Sequence, residues 1–336
     1  MVKDMSLYYI NKNNWQEFIK ALLKSFTAYG LTAQGEHLSW KNISEDDIPN
    51  IVTGRYRATK PVKGFLFPAK EEVTSEPETK KLLIIGAKAC DLGHLPTTDA
   101  IFLKGVVCDP YYETKRKNTV IISSDCDAYR PSCFCTLMEG KPFPAAGFDL
   151  NLTTLENGYL VETGTAAGEE LIKLQNSLFE KPSDAQLSAR EKMRKEMIEK
   201  IKKNNAEFSW ENPRAIVAAT VASPLWEEDI AKTCVECDAC RFVCGTCYCF
   251  LLAETARNWE KIRTWDSCQS EGYGRVAGGA NPRKTKGERL RNLYQCKLVW
   301  RPENFGIYAC TGCGRCIEVC QGKIDIRKSI QKLGKK

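Results

Sequence analysis

Apolar positions near the N-terminus follow a helical rhythm. Trp15, Phe18, Ile19, Leu22, Leu23 and Phe26 recur at the i, i+3, i+4, i+7 spacing of a helix with one buried face. The polar segment ahead of them predicts a chain that begins directly with this helix. Shorter apolar runs follow at Gly64 to Phe67, Lys81 to Ile85 and Thr119 to Ile122, and these read as buried strands. Asp149 to Thr153 and Tyr159 to Thr163 flank Asn157-Gly158, the signal of a β-hairpin. Together they predict an α+β or α/β domain over residues 1–170. Residues 171–212 change character. Their core, SDAQLSAREKMRKEMIEKIKKNN, is charged and helix-favouring, with Met193, Met197, Ile198 and Ile201 along one face. It reads as a solvated helix bridging two domains in preference to a partner-docking helix. The basic tail IRKSIQKLGKK predicts a frayed terminal helix.

Cysteines dominate residues 213–336. Cys234, Cys237, Cys240 and Cys244 form one run, and Cys310, Cys313, Cys316 and Cys320 form a second. Each reads C-x2-C-x2-C-x3-C, the spacing of bacterial two-cluster ferredoxins, in which the fourth cysteine ligates the other cluster. The expected sites are therefore one [4Fe-4S] cluster on Cys234, Cys237, Cys240 and Cys320, and a second on Cys310, Cys313, Cys316 and Cys244. The expected architecture is a ferredoxin-like, two-cluster, α-helical domain with a long insert at about residues 247–305. Gly245 and Gln321 stand where such runs usually carry proline. Structural zinc is the competing reading, but zinc ligands come as separated pairs, not as runs of four.

Seventeen cysteines with no secretory leader argue for metal or redox chemistry in a cytoplasmic protein, not disulfides. No stretch of 18 apolar residues is present to span a membrane. The formal charge of +7 counts cysteines as neutral. Each cube with four thiolates carries about −2, so the excess gives no reason to invoke nucleic acid. Two histidines, His37 and His94, leave little general acid–base machinery, and no phosphate-binding glycine fingerprint is present.

Cys90, Cys126, Cys133 and Cys135 form a second constellation. Cys90 lies just past KLLIIGA and Cys126 just past TVIISSD. If both runs are parallel strands, both thiols reach the same carboxyl edge of the sheet, and a third [4Fe-4S] cluster is expected there. Four unrelated buried thiols are the alternative. Five cysteines remain, Cys108, Cys247, Cys249, Cys268 and Cys296. The last four could hold a further iron–sulfur or zinc site, or the insert could merely shield the clusters from water. Arg283, Lys284, Lys286, Arg289 and Arg291 read either as a solvated loop or as a docking patch for an acidic partner.

The chain resembles the family formed by the iron–sulfur beta subunits of archaeal sulfhydrogenases and the corresponding iron–sulfur subunit of anaerobic sulfite reductase. The resemblance runs through KPVKGFLFPAKE, AKACDLGHL, SSDCDAYRPSCFC, GFDLNLT, YLVETGT, CVECDACRFVCGTCYCF, RTWDSCQSEGYGRVAGGANPR, GERLR and CTGCGRCIEVC. It implies cluster roles for the ferredoxin cysteines and for Cys90, Cys126, Cys133 and Cys135. Cys247, Cys249 and Cys268 also match family positions, while Cys296 stands where relatives have His. The family further implies a non-catalytic electron-transfer subunit. It would exchange electrons with an FAD/NAD(P)H-binding flavoprotein subunit and with a catalytic metal subunit of hydrogenase or sulfite reductase type. A self-contained iron–sulfur reductase would instead need a cluster with an open iron, and a zinc-rich nucleic-acid module is favoured only by the basic loop. The terminal substrate is not legible in this subunit.

Overall fold

The computed structural model describes residues 6–256 and 258–335. Its N-terminal half is built on a seven-stranded sheet in the order β1-β8-β7-β6-β5-β2-β3. The strands are β1 (Leu7–Asn11), β2 (Thr27–Gln34), β3 (His37–Asn42), β5 (Leu82–Ala87), β6 (Thr119–Ser124), β7 (Leu150–Leu155) and β8 (Gly158–Thr163), with β4 (Lys70–Glu72) set aside in a second sheet. The central four, β7, β6, β5 and β2, run parallel, and the flanking pairings are antiparallel. Parallel strands are covered on both faces and so read as continuous apolar runs. Leu83 and Ile85 of β5 face the layer made by Trp15, Phe18, Ile19 and Leu22, while Ile84 packs with Phe67, Phe102 and Tyr112 on the other side.

Three local expectations change. The first helix, Lys12–Leu23, is preceded by β1 and capped by the Asn11 side chain. The run Gly64 to Phe67 lies in a helical turn, Lys63–Leu66, with Phe67 N donating to Lys63 O at 2.8 Å. A run this short carries no periodicity that separates strand from helix. The terminal helix Ile326–Gly334 is packed, not frayed: Ile326, Ile330 and Leu333 are buried against Val217, Trp226 and Leu293. Its mixed composition hides an apolar stripe three to four residues apart.

The helix Asp184–Asn204 turns its charged side outward and its inner side onto the sheet and the cysteine loop. Arg194 donates to Asp125 at 2.7 Å and pairs with Glu162 at 3.3 Å. Met197 and Ile201 pack with Cys126, Tyr129 and Cys135.

Residues between the two ferredoxin-type runs form a hairpin, β9 (Phe250–Glu254) and β10 (Lys261–Trp265), as well as helices. Strand β10 pairs with β4, so this segment shares a three-stranded sheet with the N-terminal region. Arg263, 4% exposed, locks the junction by binding Glu71 at 2.5 Å and also Asp109. Phe134, from the loop after β6, in turn sits in the C-terminal core beside Met138 and Tyr294.

Candidate iron–sulfur sites

The two ferredoxin-type runs fold around one cavity of about 920 Å³, and all eight of their cysteines line it. The charge partners of the thiols come from both runs. Cys320 and Cys237 act electrostatically on Cys234, and Cys320 and Cys234 act on Cys240. On the other side, Cys313 and Cys244 act on Cys310, and Cys313, Cys310, Cys244 and also Cys240 act on Cys316. Donors already point at several sulfurs. Ile324 N donates to Cys320 Sγ at 3.2 Å, Gln269 Nε2 to Cys240 Sγ at 3.3 Å and Lys297 Nζ to Cys244 Sγ at 2.9 Å. Such bonds favour thiolate and tune a bound cluster.

The strand topology assembles the second group as its parallel pairing requires. Strands β5 and β6 are parallel neighbours, so Cys90 and Cys126 emerge from the same sheet edge. Cys133 and Cys135 close the ring on the loop that follows, and all four line a cavity of about 360 Å³. Asp125, beside Cys126, is held by Asn151, Thr153 and Arg194. Asn205 Nδ2 donates to Cys133 O at 2.8 Å. Cys313 lines this cavity as well as the larger one. Gly312 makes the close approach possible. It has φ +66°, and a Cβ there would lie 2.5 Å from Phe134 O.

Gly245 has a structural reason. A Cβ at this position would meet His94 Nδ1 at 2.0 Å. His94 is buried, its Nε2 is 2.9 Å from Thr311 Oγ1, and its ring lines the eight-cysteine cavity. Burial pushes the Cys313 thiol up, but the hydrogen bond with His94 and the charges of Arg315 and Arg57 outweigh it and hold it below the ordinary thiol range. At Cys310 and Cys240 burial dominates. It lifts Cys310 to about 12 and Cys240 to about 11.

The remaining cysteines divide. Cys247, Cys249, Cys268 and Cys296 line a third cavity of about 610 Å³. Cys108 stands apart from it and is exposed. The basic segment 283–291 is only partly open: Lys284 is exposed, but its basic neighbours turn inward. Arg289 is buried and paired with Glu236, Lys286 donates to Lys232 O, Arg291 donates to Val221 O, and Arg283 lines the third cavity. Lysine and arginine stems reach inward here because backbone carbonyls and the cysteine cavity are near, which composition alone does not reveal.

Comparison with known proteins matches these features. The 4Fe-4S dicluster domain family matches residues 233–324, the segment holding both ferredoxin-type runs. The beta subunit of sulfhydrogenase 2 from Pyrococcus furiosus is 33% identical over 261 residues, covering 76% of this chain and 75% of that protein. The chain belongs to the sulfhydrogenase beta-subunit family.

As a member of that family it is an iron–sulfur electron-transfer protein of the 4Fe-4S type, and family membership implies partner subunits. No described helix is long and apolar enough to cross a membrane. The chain also carries residues whose part sequence reasoning missed: the buried cations. Lys63, Lys88, Arg241, Lys297, Arg301 and Arg315 are all at or below 6% exposure, whereas among the carboxylates of the described residues only Asp91 and Asp125 are comparably enclosed. Lys88 Nζ donates to Thr53 O, Gly54 O, Ser124 Oγ and Asp125 O. It lies in the field of Cys126 and Cys90. Burial lowers Lys63 to about 8, against the opposing pull of Cys247 and Cys244. Burying cations is costly unless anions compensate them. Clusters with four thiolates are such anions. A usable signal existed: Lys88 and Arg241 each sit within two residues of a cysteine in an otherwise apolar or cysteine-rich stretch.

Proposed function

We propose that this chain is the electron-relaying subunit of a multi-subunit oxidoreductase. It would pass single electrons between an FAD/NAD(P)H-binding flavoprotein subunit and a catalytic metal subunit of hydrogenase, sulfur reductase or sulfite reductase type. Its C-terminal part is a ferredoxin-like dicluster unit interrupted by an insert, joined through the 171–212 segment to an N-terminal α/β unit. One set of ligands is Cys234, Cys237, Cys240 and Cys320, and a second is Cys310, Cys313, Cys316 and Cys244. The electrostatic grouping of these thiols supports the crossed pairing. A third set is Cys90, Cys126, Cys133 and Cys135.

Each bound [4Fe-4S] group supplies a one-electron couple without proton transfer, in keeping with the scarcity of histidine. The chain's own residues do the rest. Cysteines hold the groups, while Phe134 and Tyr294 exclude water. Lys88, Lys297 and Arg315 place positive charge beside the sulfurs, which raises reduction potential.

The observation that carries the reading is the shared wall at Cys313, which lines both the eight-cysteine cavity and the N-terminal one. Adjoining sites are what a relay needs. Anaerobic iron analysis and electron paramagnetic resonance of the whole protein test it. The Cys126→Ser variant should lose about four irons and one reducible signal, leaving the dicluster signals in place. Unchanged iron in a folded Cys126→Ser protein would remove the third site from the relay.

A further inference from the structure

One cavity of this protein combines four more cysteines with unbalanced positive charge. Cys247 and Cys249 follow the first run directly and lead into β9, while Cys268 follows β10. The antiparallel pairing of Phe250 with Trp265, extended by Asp266 N donating to Cys249 O at 2.9 Å, brings the two ends of the hairpin together. Cys296 caps the helix Lys286–Gln295, which Leu290 and Leu293 anchor in the core. Three separate segments thus deliver four thiols to one cavity.

Arg241, Lys297 and Arg301 also face this space, and no carboxylate lines it. Arg241 is 3% exposed, its Nη2 donates to Cys249 Sγ at 3.0 Å, and its Nε has no partner among the described residues. Arg301 is 4% exposed, lies over the Tyr248 ring at 4.5 Å, and leaves Nη1 unpartnered among the described residues. Lys297 Nζ donates to Cys247 Sγ at 3.2 Å as well as to Cys244 Sγ at 2.9 Å. Arg241 and Arg301 would be uncompensated buried charges unless the cavity itself holds an anion, while Lys297 is shared with Cys244.

We propose that Cys247, Cys249, Cys268 and Cys296 ligate a further [4Fe-4S] cluster, charge-balanced by Arg241, Lys297 and Arg301 and adjoining the Cys244 side of the dicluster site. Four thiolates around a cube carry about −2, which suits a cage of cations. A single zinc ion would need sulfurs about 3.8 Å apart, the edge of a tetrahedron with bonds of about 2.3 Å. Among the described residues no three cysteine, histidine or acidic side chains gather as one ion requires. Lys297 bridges Cys244 and Cys247, so it is a positioning charge shared by two neighbouring sites.

The test compares the parent protein with Cys268→Ser, both purified anaerobically at full length, for iron, acid-labile sulfide and zinc per chain. The expected result is a loss of about four irons and four sulfides, with the signal removed by Cys126→Ser still present. No loss of iron, or loss of one zinc in its place, overturns the proposal. If Cys268→Ser does not fold, Cys296→His, which keeps a ligand, should retain the iron that Cys296→Ala loses. Equal iron in those two variants overturns it too. Lys297→Met should keep all iron and lower the midpoint potential of the Cys268-dependent signal. An unmoved midpoint would overturn the role given to Lys297. The Cys126→Ser result concerns only the N-terminal site, so the relay and the further cluster fail separately.

Discussion

Arg315 and Asp91 form the most enclosed ion pair that joins the two halves of the protein, and its removal has a calculable cost. Their side chains are 1% and 0% exposed, with Nη2 to Oδ1 at 2.7 Å. Arg315 Nε also donates to Ala58 O at 2.9 Å. Arg315→Met would strand a buried carboxylate beside Cys90 and an unsatisfied carbonyl. Removing one partner of a buried pair costs about 3–5 kcal/mol, and the orphaned carbonyl about 1–3 kcal/mol more. Part of this should be relieved by Asp91→Asn in the same chain, which removes the stranded charge at nearly constant volume. The coupling between the two changes should then be roughly 0.5–3 kcal/mol. Anaerobic urea unfolding, followed by circular dichroism and by cluster absorbance, gives the double-mutant cycle. A single variant within about 0.5 kcal/mol of the parent, or a strictly additive cycle, would refute the view that this pair clamps the N-terminal site onto the dicluster site.

Other outcomes follow from the same contacts. Gly245→Ala should destabilise by about 1–3 kcal/mol through overpacking against His94, and His94→Ala in the same chain should recover most of the loss in a thermal melt. Arg263→Gln leaves Glu71 and Asp109 without their shared cation. It should cost about 3–5 kcal/mol and make the β9–β10 segment the first site of limited proteolysis. Cys108 and Cys237 are both exposed, yet iodoacetamide should modify only Cys108 in the anaerobic native protein, because bound iron masks Cys237. Intact mass spectrometry reads this directly, and an adduct on Cys237 would count against its ligand role.

The central parallel strands are legible in the sequence because burial on both faces writes continuous apolar runs such as Leu82 to Ile85. The Asn157-Gly158 hairpin is legible from turn chemistry. The convergence of Cys90 with Cys126 follows from the apolar runs that precede them. The Lys63–Leu66 turn is not legible, because a four-residue apolar run has no period. The inward course of Arg283 and Arg289 is equally hidden, since a charge run does not show which stems meet carbonyls, Glu236 or a cysteine cavity. His94 reads as an idle histidine until the missing proline after Cys244 proves to be a glycine making room for its ring. The pairing of β4 with β10 is a contact between segments far apart in sequence, and short polar strands give no local hint of it.

The central claim, that this chain passes on electrons it receives from a flavoprotein partner, is tested most directly by anaerobic stopped-flow absorbance. The purified chain is mixed with NAD(P)H, with and without an FAD/NAD(P)H-binding flavoprotein subunit, and cluster absorbance is followed. The account predicts rapid bleaching only when the flavoprotein is present. Equal bleaching by NAD(P)H alone, or none with both, would contradict it.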